Sequence, residues 1–199
     1  MAALNRLDSY TFNGAYFTGY SGAGTQVSLS GTERSEPTLA IQSTAHTGTG
    51  TTGQYIRIGN DIWVNTGDPD AFYHYDATDP ANGALLAQYE PYALATQIAQ
   101  ASGLQNTYQP VGVETVHNIE SMHYGLSQAD RDRLIQASGL DPQTWAGDVW
   151  LATNGGYLVQ LRWGPQMAGE TQPNQGYIWD TTATNCECPV TAPTNVANP

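Results

Sequence analysis

The sequence predicts an α+β fold: a curved antiparallel sheet with short helices laid across its apolar face. Three observations predict it. Val111 to Trp163 reads as strand, tight turn, strand, capped helix, strand, tight turn, strand. In Tyr157-Leu158-Val159-Gln160-Leu161-Arg162-Trp163 every odd position is apolar and two of the three even ones are polar, so one sheet face is apolar and the other wet. Residues 82–102 and 127–138 carry helical patterns that would cover the apolar face.

The chain has 199 residues, which predicts one domain over 1–199, with an ordered core of 7–193 and a C-terminal tail of 194–199. No apolar run approaches the ~18 residues of a membrane-spanning helix. Met1-Ala2-Ala3-Leu4 has neither the basic start nor the apolar core of a signal peptide. A net charge of −12 with no lysine and scattered arginines argues against nucleic acid and anionic membrane surfaces. Thr, Gly, Ser, Asn and Gln dominate the polar positions, a composition that fits exported proteins.

Strands are expected over Leu7–Thr18, Thr25–Arg34 and Leu39–Ala45, where Tyr10, Phe12 and Tyr16, then Val27 and Leu29, alternate with smaller or polar residues. The run 47–53 is a connection. Tyr55–Ile58 and Ile62–Asn65 flank Gly59-Asn60-Asp61, which predicts a hairpin with a three-residue loop. After an irregular stretch from Asp68 to Pro80, Leu85, Leu86 and Tyr89 form one helical stripe. Leu94 and Ile98 form the next, with Pro91 opening the second helix. Gln-Ala-Ser-Gly-Leu recurs at 100–104 and 136–140 as stop chemistry, the second ending a helix capped by Ser127 with Asp130 three residues on.

The order of these elements, with Val-Gly-Val-Glu-Thr-Val-His-Asn-Ile-Glu-Ser-Met-His-Tyr at 111–124 and Gly-Asp-Val-Trp-Leu before a Gly turn and Leu-Val-Gln-Leu-Arg, resembles the bacterial LolA-like envelope lipoproteins of the LppX and LprG type. The resemblance covers Leu7 to about Pro193 and includes the closing Pro-Val-Thr-Ala-Pro. It implies a half-barrel whose concave face holds lipid acyl chains, in a protein exported to the periplasm or the outer face of the cell envelope. Members start with a signal peptide and a lipid-modified Cys; this chain has neither, so membrane association would run through a lipid anchor absent from it.

Other chemistry is weighed residue by residue. His117 and His123 with Glu114 and Glu120 suggest a metal cluster, but a hairpin turning at His117-Asn118 puts the histidines roughly 20 Å apart at ~3.3 Å per residue, too far for one ion. Asp68, Asp70, Asp76 and Asp79 lack the spacing of a calcium loop and read as caps and turns. If Asn185–Val190 is extended, the Cβ atoms of Cys186 and Cys188 lie ~7 Å apart against the ~3.8 Å of a disulfide, which predicts free thiols. No Gly-x-Ser-x-Gly, phosphate loop or His-Glu-x-x-His occurs, so no enzyme and no cofactor is expected.

Tyr10, Phe12, Tyr55, Trp63, Tyr124, Trp150, Tyr157 and Trp163 are core aromatics by default. The resemblance implies instead an elongated apolar cavity with no ionisable pair at its centre. Its expected lining is drawn from Phe12, Ile56, Ile58, Val64, Leu94, Ile98, Met122, Tyr124, Val159 and Leu161. Burying a sixteen-carbon chain there would gain about 12 kcal/mol at ~0.8 kcal/mol per methylene. The partner is then a lipid or acyl chain. The other reading is an envelope structural or interaction module whose concavity is filled by its own side chains.

Overall fold

The computed structural model describes residues 7–17, 26–47, 52–67, 71–91, 108–139, 143–170, 173 and 175–197. Eleven strands form one curved, unclosed antiparallel sheet. They are β1 (Ser9–Phe17), β2 (Gln26–Arg34), β3 (Ala40–Thr47), β4 (Thr52–Ile58), β5 (Asp61–Asn65), β6 (Tyr73–Asp76), β7 (Tyr108–Val116), β8 (Ile119–Leu126), β9 (Thr144–Ala152), β10 (Leu158–Gln166) and β11 (Gly176–Thr184). The spatial order is β6-β5-β4-β3-β2-β1-β11-β10-β9-β8-β7. Two hairpin series therefore meet where the first strand pairs with the last. That junction puts β11 inside the sheet, next to the central β1, although its sequence reads locally as the approach to a tail.

The turns follow their residues. His117 and Asn118 both adopt positive φ, 50° and 63°, the geometry of a two-residue loop whose twist suits β7 and β8. The β4–β5 loop has two residues, Gly59 and Asn60, because Asp61 pairs with Ile58; the expected three-residue loop is one too long. Two helices are described, α1 (Gly83–Tyr89) and α2 (Gln128–Ser138). The α2 N-terminus is capped by the Ser127 side chain, which accepts from the Asp130 amide, and Gly139 ends the helix at φ 63°. The second half of 82–102, with Leu94 and Ile98, lies outside the described residues, as do Asp68 and Asp70. Asp76 and Asp79 are caps: Asp76 accepts from the amide and hydroxyl of Thr78, and Asp79 from the amide of Ala81 ahead of a 3-10 turn at Pro80–Asn82.

Glycines at the β10–β11 junction are required by close backbone approach. A Cβ on Gly164 would stand 1.7 Å from the carbonyl oxygen of Gln175, and one on Gly176 would stand 2.1 Å from that of Trp163. Their φ values, 140° and 116°, would strain any side chain as well.

The concave face carries the main core, including Tyr10, Phe12, Tyr55, Val159, Leu161 and Trp179. Tyr89 of α1 is buried in it, and Leu134 of α2 packs against it, so both helices cover the face that the alternation marked as apolar. Val159, Leu161 and Trp163 point inward as expected, while Gln160 and Arg162 join Asp180 on the other side. A smaller cluster of Ala40, Ile56, Phe72 and Val190 lies apart, with Ile58 and Trp63 packed against it. The C-terminal segment closes this second cluster: Val190 is part of it, and Val196 forms a parallel bridge to Phe72 ahead of β6. The packed chain thus runs beyond the expected boundary at 193.

Cys186 and Cys188 are joined by a disulfide, which overturns the expectation of free thiols. The segment is not extended there. The Cys188 amide donates to the Cys186 carbonyl at 2.9 Å, a three-residue turn that brings the two Cα atoms to 5.3 Å, inside the range a disulfide spans. Alkylation without reductant is expected to leave the protein unmodified and two hydrogens lighter than its reduced form; uptake of two alkyl groups would contradict the bond.

Candidate binding site on the concave face

Cross-strand register shows which residues share the inner surface. Gly14, Trp179, Leu161, Val149 and Tyr124 form one row across five strands, and Leu158, Leu151 and Met122 lie in a neighbouring row. Phe12 stacks on Trp179 with ring centroids 5.5 Å apart and planes within 5°. Of the expected lining, Phe12, Val64, Val159 and Leu161 are brought together in the main core, and Met122 and Tyr124 stand half-buried on the same face. Ile56 and Ile58 are not on it. In β4 it is Tyr55, opposite Val64, that points inward, while Ile56 pairs with Trp63 in the outer cluster.

The inner face is not purely apolar. Arg57 follows Tyr55 inward and forms an ion pair with Glu90, which also accepts from the Tyr55 hydroxyl at 2.7 Å. Tyr89 stacks on Tyr55 at 5.5 Å, and its carbonyl accepts from the Ser43 hydroxyl. Gly53 leaves room for it, since a Cβ there would stand 2.3 Å from the Tyr89 hydroxyl oxygen. On β2, the buried Glu33 accepts from the Tyr10 hydroxyl at 2.9 Å. The β2–β4 side of this face, where α1 docks, therefore carries polar and ionisable groups.

Burial, opposed by the Tyr10 hydrogen bond, raises the Glu33 carboxyl above its usual range. The folded state then holds this proton more tightly than the unfolded chain. The resulting stability is fully present below the unfolded carboxylate pKa and is lost as pH rises through the folded value. Glu33→Gln keeps an acceptor for Tyr10 and is expected to raise the melting temperature at pH 7–8 but not near pH 4. An equal change at both pH values would show that Glu33 titrates normally.

Two cavities open at opposite ends of β1 and β8–β11. At the end where β1 finishes and β11 begins, a cavity of about 320 Å³ is lined mainly by aromatic rings: Tyr16, Phe17, Trp145, Trp163 and Tyr177. Trp145 and Trp163 meet edge to face at 5.7 Å, and Tyr16 stacks on Tyr177 at 4.9 Å. Trp163 belongs to the main core, so one wall of this cavity is the apolar interior. Of its aromatic residues, Tyr16 and Trp163 stand out in the sequence by alternation, whereas Phe17, Trp145 and Tyr177 do not. Arg131 of α2 closes the neighbouring split between β8 and β9, donating to the carbonyls of Leu126 and Trp145 beyond the last ladder pair, Gly125 with Asp148.

On the outer face the histidines go separate ways, as the hairpin geometry required. His117 meets Asp180, whereas His123 sits between Glu114 and Asp148 at 3.0 Å from each and stacks on Trp150. Among the described residues no group of three or more His, Cys, Asp or Glu is placed to hold a metal ion. No helix among them is long and apolar enough to cross a membrane.

The chain has the half-open antiparallel sheet that its resemblance to the LolA-like lipoproteins implies. Solved structures similar to it include the lipoprotein LppX of Mycobacterium tuberculosis, at a TM-score of 0.48 and 16% identity over 96% of this chain and 93% of that one. MucB in complex with MucA(peri) is similar at 0.37 and 14% identity, over 99% of this chain and 61% of that one. The MucA/MucB complex of Pseudomonas aeruginosa gives 0.34 and 12%, over 92% and 53%. No family model and no curated protein matches the chain. The fold assignment rests on this chain's own strand order and pairing.

Proposed function

We propose that the protein binds an acyl-type apolar chain through the aromatic mouth at Trp145 and Trp163, and that it works in the bacterial cell envelope. The observation that carries this reading is the 320 Å³ aromatic cavity, which shares Trp163 with the concave-face core. Its volume is at the low end of the roughly 300–1,000 Å³ of small-molecule sites, so it holds one end of a chain. Six buried methylenes would contribute about 5 kcal/mol before ordering costs. The Cys186–Cys188 disulfide supports an oxidising compartment, as export requires.

Native mass spectrometry of gently purified protein, with titration of a fluorescent sixteen-carbon fatty-acid analogue, tests this. A co-purifying lipid mass and saturable binding are expected. Phe17→Asp should weaken binding about tenfold, because a carboxylate at the lip must be desolvated beside the acyl chain. Lipid-free preparations and no saturable binding at the Trp145 end would remove the reading.

The dense packing of Phe12, Trp179 and Val159 favours a second reading, an envelope interaction module whose concave face is filled by its own side chains. That protein would stay free of lipid in every preparation.

A further inference from the structure

The opposite end of the same strands carries a different cavity, of about 670 Å³. Leu7, Ala152 and Tyr157, all members of the main core, and Ile119 supply its apolar surface. Asp8 and Glu120 contribute carboxylates, and the turn at Thr153–Gly155 with Asn185 adds neutral polar groups. Glu120 is held in place by Thr153, whose hydroxyl donates to Oε1 at 2.7 Å. Among the described lining residues there is no Lys or Arg, and the whole chain has a net charge of −12.

We propose that this cavity binds an organic cation of the alkylammonium type, its hydrocarbon against Leu7, Ile119 and Tyr157 and its ammonium toward Asp8 and Glu120. The open cavity with its apolar residues makes the site; the exposed carboxylates at its rim decide the sign of the ligand. An anion would meet two like charges and no partner, whereas a cation gains both carboxylates. A neutral alcohol of the same length keeps the apolar contacts alone. The inference is independent of the acyl reading, because the two cavities lie at opposite ends of the strands.

The test is an NMR titration of the full chain at low ionic strength with hexylammonium, hexanol and hexanoate. Hexylammonium is expected to shift the amides of Ala152, Thr153 and Tyr157 and to bind about fivefold tighter than hexanol, the effect of two exposed ion pairs. That preference should vanish near 0.5 M salt, where the screening length falls to about 4 Å. Asp8→Asn with Glu120→Gln, which retains an acceptor for Thr153, should bring hexylammonium down to the affinity of hexanol while leaving the spectrum folded. Equal or tighter binding of hexanoate, undiminished binding by the double variant, or shifts confined to the Trp145 and Trp163 indoles would overturn the proposal. Those indole signals report the acyl site separately, so failure of either reading is recognised by itself.

Discussion

Trp179→Ala is expected to lose about 3–5 kcal/mol of stability, the range for deleting a large aromatic from a packed core. Trp179 is completely buried, stacks on Phe12, and donates its indole N–H to the Thr181 hydroxyl at 3.0 Å. That hydroxyl in turn donates to the Leu158 carbonyl at 2.8 Å, so the indole anchors β11 to the start of β10. Because β11 also pairs with β1, the cavity would open at the junction of the two hairpin series. A loss of this size consumes much of the ~5–15 kcal/mol that holds an ordinary domain together. Trp179→Phe keeps a ring against Phe12 and removes the N–H, so the loss should fall to about 1–2 kcal/mol. Urea unfolding of the three proteins measures both values. A loss below about 1 kcal/mol for alanine would mean that the junction does not depend on this indole.

The sequence made most strands legible because each carries its own period-2 pattern, and the α2 caps are visible in Ser127, Asp130 and Gly139. It did not reveal β11. Tyr177-Ile178-Trp179 followed by Asp180, three threonines and an alanine reads as an apolar spot before a polar tail. What places it inside the sheet, beside the central β1, is its pairing with that strand across a long stretch of sequence, as in Tyr16 with Tyr177. No local window contains that information.

The face of β4 was misread for a related reason. In Tyr55-Ile56-Arg57-Ile58 the alternation marks the two isoleucines as the core side, yet the structure turns Tyr55 and Arg57 inward. Three remote partners reverse the choice: Glu90 neutralises Arg57, and Val190 and Phe72 provide an apolar cover for Ile56 on the outer face. A period-2 pattern fixes which residues share a side, and only such partners fix which side is the interior. The aromatic mouth escaped notice similarly, since Tyr16, Phe17, Trp145, Trp163 and Tyr177 come from separated strands and meet only at their ends. The disulfide depended on a turn at Cys186–Cys188 that an extended reading excludes.

Leu161→Trp separates a ligand-filled interior from a self-packed one. Leu161 lies inside the core between Val149 and Trp179, away from both mouths, and only 4% of its surface is exposed. With its neighbours already in contact, the larger ring must displace them, and the expected loss is about 1–3 kcal/mol. Binding of the fatty-acid analogue at the Trp145 and Trp163 mouth should persist in the fraction that remains folded, because that cavity does not include Leu161. Melting curves and analogue titration on the same samples give both quantities. Unchanged melting with abolished binding would instead mean that the indole occupies space reserved for an acyl chain, extending the site from its mouth through the row of Trp179, Leu161 and Val149.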